Sequence, residues 1–285
     1  MVNLAFLSCA VLGISAQNVI KKIYNGKAQG RGVLIFGGVS VLSACLFFLF
    51  ASGFKLHFDA GILPYAFGFA ASYGTAIVTG VLAIRWGALS LSSLITSFSL
   101  IIPTFYGLIF LDESAGVLFW IGFSSLLVSL ILINSKKGEI KITLRWVIAV
   151  SLAFFGNGIC SAVQNAQQRS FAGEYKNELM IVALCTVATV LFVAAAFAER
   201  AEILPCLKHG GCLMVLCGVA NGAVNLFVML LATRMNASLM FPIISGGGIV
   251  LTWAVSRFIY KEKLTVPQNL ALVFGILAVV LMNLK

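Results

Sequence analysis

Ten apolar runs, each close to the length of a membrane-crossing helix, follow one another along the 285 residues with only short polar gaps between them. A helix rises about 1.5 Å per residue, so crossing the roughly 30 Å hydrocarbon layer takes about 20 residues. Runs of that order occur at 3–20, 33–54, 61–84, 88–111 and 116–133, and again at 146–163, 179–198, 210–233, 237–259 and 267–284. In lipid, only a helix or a closed barrel satisfies its own backbone, and runs this long read as helices. The expected fold is an all-α integral membrane protein of about ten transmembrane helices. No gap is long enough for a soluble domain. The chain is 61% hydrophobic and 10% charged, whereas a soluble domain carries about 25% charged residues to face water.

The net charge of +10 reflects topology rather than nucleic-acid binding, because the basic residues fall in the gaps and no nucleic-acid motif is present. Counted over alternating gaps, one side holds Lys21, Lys22, Lys27, Arg31, Arg85, Lys136, Lys137, Lys141, Arg145, Arg200, Lys208, Arg257, Lys261 and Lys263. The other side holds Lys55, Arg169, Lys176, Arg234 and Lys285. Fourteen against five marks the first side as cytoplasmic and places both termini outside. The first run lacks a basic leader and a small-residue cleavage site, so it reads as a retained span. The seven cysteines show no metal-ligand spacing and the two histidines are isolated, so neither metal nor cofactor is expected. Acid/base chemistry needs titratable groups close together, and the spans supply none, so an enzyme is not expected.

The two sets of five runs repeat each other. Leu82-Ala83-Ile84-Arg85 lies over Leu231-Ala232-Thr233-Arg234 at an offset of 149 residues. The same offset puts Gly61 on Gly210, Ala88 on Ala237, Glu113 on Glu262 and Asn134 on Asn283. A slightly different offset puts Gln17-Asn18 on Gln164-Asn165. The chain thus reads as one membrane domain of two five-helix repeats, 1–137 and 138–285. Five is odd, so the second repeat enters the membrane inverted. Inverted repeats are the usual build of secondary transporters, with the substrate near the midplane where the halves meet.

Ten spans in two halves, each closing on a short acidic turn, resemble the drug/metabolite transporter superfamily and its EamA-like bacterial branch. The most specific stretch is Tyr260-Lys261-Glu262-Lys263-Leu264-Thr265 ahead of a final span containing Gly275. It is similar to the family's G-E-x-L-T turn, with Tyr260-Lys261 where Leu-Gly is common. The first-half counterpart, Leu111-Asp112-Glu113-Ser114, departs further, and Pro103 lies later in span four than the family's proline. The resemblance implies a multipass transporter in a bacterial cytoplasmic membrane, its cavity among spans 1, 3, 4, 6, 8 and 9. Its substrates would be amino acids, other small metabolites, nucleotide sugars or drugs.

By these boundaries no span interior contains Asp, Glu, Lys, Arg or His. That argues against a proton relay through a buried carboxylate, and for a neutral or zwitterionic substrate held by hydrogen bonds and aromatic faces. The candidate binding residues are then the mid-span polar and aromatic side chains. Tyr73 lies in span three, Ser97 in the hydroxyl-rich span four, Asn157 in span six, and Ser245 and Trp253 in span nine. Asn221 and Asn225 sit four residues apart on one face of span eight. Buried amides are costly unless paired, so these line a cavity or bond between helices. Ser245-Gly246-Gly247-Gly248 after Pro242 either unwinds the helix or lets a neighbour pack closely. Gln17-Asn18 and Gln164-Asn165 end spans one and six and read as gate elements or helix-end caps. Glu113 and Glu262 each precede a span and favour the positive end of its dipole. Trp86, Trp120 and Trp146 read as interfacial anchors. The expected function is secondary transport, most simply export, of a small metabolite such as an amino acid or amine by alternating access. The partners are that substrate and the bilayer, and a homodimer is compatible with the sequence. A pore, a lipid scramblase or a membrane assembly partner are the alternatives.

Overall fold

The computed structural model describes residues 2–28, 31–86, 92, 95–96, 98–133, 143–258 and 266–283. Among these, ten α-helices follow in order: α1 Val2–Ala28, α2 Val33–Ala51, α3 Leu63–Trp86, α4 Ile101–Phe110, α5 Val117–Ile133, α6 Leu144–Ser170, α7 Lys176–Ala198, α8 Ile203–Ala232, α9 Ala237–Phe258 and α10 Val266–Asn283. Six of them, α1–α3 and α6–α8, are long and apolar enough to cross a membrane. The others carry shorter apolar stretches over described residues. Side chains such as Phe110, Val117, Leu144 and Phe197 are largely exposed. Such a surface belongs in lipid, where exposed leucine and phenylalanine carry no penalty.

The helices pair across the chain rather than along it. The extensive contacts are α3 with α6, α1 with α8, α2 with α8, α2 with α7, α3 with α7, α5 with α10, and α1 with α9. Only α9 with α10 joins neighbours in sequence to a similar extent. The main core, built on Phe48, Phe69, Leu184, Leu191 and Met214, therefore knits α2, α3, α7 and α8.

Several helices outrun their apolar stretches. α1 and α6 each have 27 residues and α8 has 30. At 1.5 Å per residue that is roughly 40–45 Å, more than the hydrocarbon thickness. Two expectations change as a result. Gln17-Asn18 and Gln164-Asn165 lie inside α1 and α6, not at their ends, and Gln17, Gln164 and Asn165 are buried. Lys21 and Lys22 lie inside α1, and Lys208 and His209 inside α8, so the helices are not free of charge. Hydropathy registers where polarity begins, whereas the backbone keeps its helical hydrogen bonds beyond that point.

Other expectations are settled locally. Gly246–Gly248 remain helical within α9; Gly247 faces Val11 and Gly248 faces Ile14 of α1, so the glycines serve close packing. Trp146 is not an interfacial anchor: it is buried, and its indole N–H donates to Ser92 Oγ at 2.9 Å. Trp86 and Trp120 are exposed, as anchors would be. Arg234, at the end of α8, lies 5.3 Å from the Phe6 ring centroid.

Candidate functional site

One end of the bundle is tied together by carboxylates. Leu111 and Glu113 both donate backbone N–H to Gly107 O, and Asp112 between them takes φ 51°. This left-handed turn closes α4 and sets Glu113 at the start of α9. There its carboxylate accepts from Ala237 N and Ser238 N, each at 2.8 Å, and pairs with Arg169 of α6 at 3.2 Å. The Glu113 side chain is only 4% exposed. Glu113 therefore caps a helix, as expected, but the helix is α9 and not the following α5. Its repeat partner Glu262 lies outside the described residues. Gly107 is required here, because a β-carbon would collide with Glu113 Oε2 and come within 3.0 Å of Ser238 N. At the same end Tyr65 of α3 donates to Ser170 of α6, and Glu178 at the start of α7 accepts from His57 N. All four connections at this end, α2–α3, α4–α5, α6–α7 and α8–α9, take part.

At the opposite end, Glu199 accepts from Leu34 N and Ile35 N at 3.0–3.1 Å, and Glu202 accepts from Gly32 N at 2.9 Å. Both carboxylates are committed to the orphan N–H groups that begin α2. This is the end that carries Lys21, Lys22, Lys27, Arg31 and Lys208.

Between the two ends runs a relay of amides. Gln164 of α6 donates to Asn225 Oδ1 at 3.2 Å. Asn225 donates to Asn221 Oδ1 at 3.1 Å, across one turn of α8. Asn221 donates to Gln17 Oε1 of α1 at 3.2 Å and lies 3.5 Å from the Tyr73 hydroxyl of α3. Four helices thus meet through side chains that would be costly in hydrocarbon unless paired. Tyr73, Asn221 and Asn225 were singled out from sequence; Gln17 and Gln164 were assigned to helix ends instead. The signal for them was present, since the repeat aligns one with the other.

Two cavities flank α1. The first, of about 220 Å³, is lined by Gln17, Lys21, Tyr24 and Asn25 of α1, with Phe36 and Ser40 of α2, Tyr73 of α3 and Asn221 of α8 among others. Along α1 exposure rises from buried Gln17 to exposed Lys21 and Asn25, so this cavity opens at the basic end. The second, of about 240 Å³, borders an adjoining face of α1 and is lined by Asn18, Thr96, Ser99, Asn157, Ser161 and Ser245, with Phe241 and Gly248 of α9. In it Asn157 donates to Ser99 Oγ at 2.6 Å.

The sequence candidates therefore divide. Tyr73 and Asn221 line the first cavity, Asn157 and Ser245 line the second, and Asn225 joins the relay behind Asn221. Ser97 lies outside the described residues, as does the side chain of Trp253, whose backbone continues α9. Among the described residues no group of three or more His, Cys, Asp or Glu is placed to hold a metal ion.

No family model matches the sequence, and no curated protein matches it. The fold does have a counterpart among solved structures. A crystal structure described only as that of a protein superposes with a TM-score of 0.79, covering 98% of this chain and 95% of its own, at 11% sequence identity. At that identity the likeness concerns the fold.

Proposed function

We propose that this chain is a secondary transporter that carries a small metabolite across a bacterial cytoplasmic membrane by alternating access. The observation that carries the reading is the amide relay. Gln17, Asn221, Asn225 and Gln164 join α1, α8 and α6 beside a cavity that opens at the basic end, while at the other end Glu113 ties the turn after α4 to α6 and α9. A polar cluster below an open mouth and a tied end is what one facing of an alternating-access cycle needs.

The helix pairings support an inverted repeat. Exchanging α1–α5 for α6–α10 turns α3–α6 into α8–α1, α2–α8 into α7–α3, and α1–α9 into α6–α4, which also touch. On this reading the protein resembles the EamA-like transporters, and the basic end faces the cytoplasm with both termini outside.

The test is Asn221→Leu and Asn225→Leu in protein reconstituted into liposomes. Each variant is expected to insert normally and to lose most solute flux relative to the parent. Full flux in both would make the relay a packing feature and remove the site.

A further inference from the structure

We infer that the cavity open at the basic end receives a small organic carboxylate, with its anionic group on Lys21. The inference rests on the transport reading for its purpose but on the cavity for its chemistry. Gln17, Lys21, Tyr24 and Asn25 recur at intervals that place them on one face of α1, and all four line the cavity. Lys21 is the only charged side chain among the described lining residues.

The acids that would neutralise it are engaged elsewhere. Among the described residues, Glu199 and Glu202 are the carboxylates that act electrostatically on Tyr24 of the cavity wall. Both point instead at the first N–H groups of α2 and at Gly32. Tyr24 is held in place by donating to Arg31 O and Gly32 O at 3.1 and 3.2 Å. On its far side lies a smaller pocket of about 170 Å³, bordered by Lys27, Arg31 and His209. Cationic side chains therefore gather at the end where the cavity opens, and such a field steers anions.

The size of the cavity limits the ligand. About 220 Å³ is the space of roughly seven liquid water molecules, enough for a single ring with a carboxylate. The walls supply Tyr24, Phe36 and Tyr73 for an apolar body, and Gln17 and Asn221 for hydrogen bonds. A substrate with only a positive charge meets no counter-charge here. An amino acid fits through its carboxylate, whereas an amine does not.

The test uses benzoate and its neutral isostere benzamide, titrated calorimetrically into the purified full-length protein. Benzoate is expected to bind about fivefold more tightly than benzamide, the scale of a solvent-exposed charge contact, and the preference shrinks at about 1 M salt as screening predicts. Lys21→Gln is expected to abolish the preference. Lys22→Gln is expected to keep it, because Lys22 turns roughly 100° away round the helix and is not among the lining residues. Equal affinity for the two probes, an equal loss in both lysine variants, or binding of neither probe by folded protein would overturn the assignment. The two readings fail separately. Benzoate-selective binding without flux in liposomes would overturn transport and leave the carboxylate site. Benzamide flux equal to that of benzoate would overturn the carboxylate site and leave transport.

Discussion

Replacing Glu113 with alanine separates its role as a helix cap from its role as an ion-pair partner. The carboxylate accepts two backbone N–H groups at 2.8 Å and one Arg169 contact at 3.2 Å. Without it, Ala237 N and Ser238 N lose their acceptor at the start of α9. Each donor left unsatisfied costs about 1–3 kcal/mol, and loss of an N-cap alone costs about 0.5–2 kcal/mol. Partial hydration at the membrane edge keeps the sum near the low end, about 2–4 kcal/mol. The ion pair contributes far less. The Arg169 side chain is 33% exposed, against 4% for Glu113, and also donates to Met235 O at 3.1 Å; with the guanidinium partly in solvent, the pair is worth at most about 1 kcal/mol. Arg169→Gln should therefore cost under about 1 kcal/mol, and Glu113→Ala should cost nearly as much in the Arg169→Gln background as alone. Reversible unfolding in mixed detergent micelles, followed by tryptophan fluorescence, measures all four proteins. If Arg169→Gln costs as much as Glu113→Ala, the carboxylate acts through its charge partner and the capping argument fails.

Other consequences follow from the same geometry. Gly107→Ala puts a β-carbon against the Glu113 carboxylate and should cost about 1–3 kcal/mol, as overpacking does. The cost should fall in the Glu113→Ala background, since the colliding group is gone, and additive losses would count against the contact. Asn165 is fully buried, and neither its Nδ2 nor its Oδ1 meets a partner among the described residues. Asn165→Leu should therefore raise stability by about 1 kcal/mol, by removing two unsatisfied groups; a drop in the unfolding midpoint would mean that the amide is paired.

What could be read in advance follows the physics of the bilayer. The ten helices were legible because hydrocarbon leaves an apolar run little choice but to be helical. Their ends were not. Polarity alone puts Lys21 in a gap and Gln164 at a helix end although helix continues through both, because polarity and helicity part company where a helix leaves lipid or faces a cavity. Asn221 and Asn225 were found because spacing on one helix fixes their common face. Their partners Gln17 and Gln164 lie 204 and 61 residues away, and only the repeat alignment hinted at them. The use of Glu113 at α9, 124 residues on, depends on tertiary packing that no local pattern records. Nor could spacing tell that Asn157 and Asn221 line different cavities beside α1.

Counterflow in liposomes tests the central claim most directly. Vesicles holding the protein are loaded with unlabelled benzoate and diluted into a trace of labelled benzoate. Alternating access predicts uptake of label above the equilibrium level, saturable in external solute and lost in Asn221→Leu. Uptake that only equilibrates and rises linearly with concentration would describe a pore, and would contradict a site exposed to one side at a time.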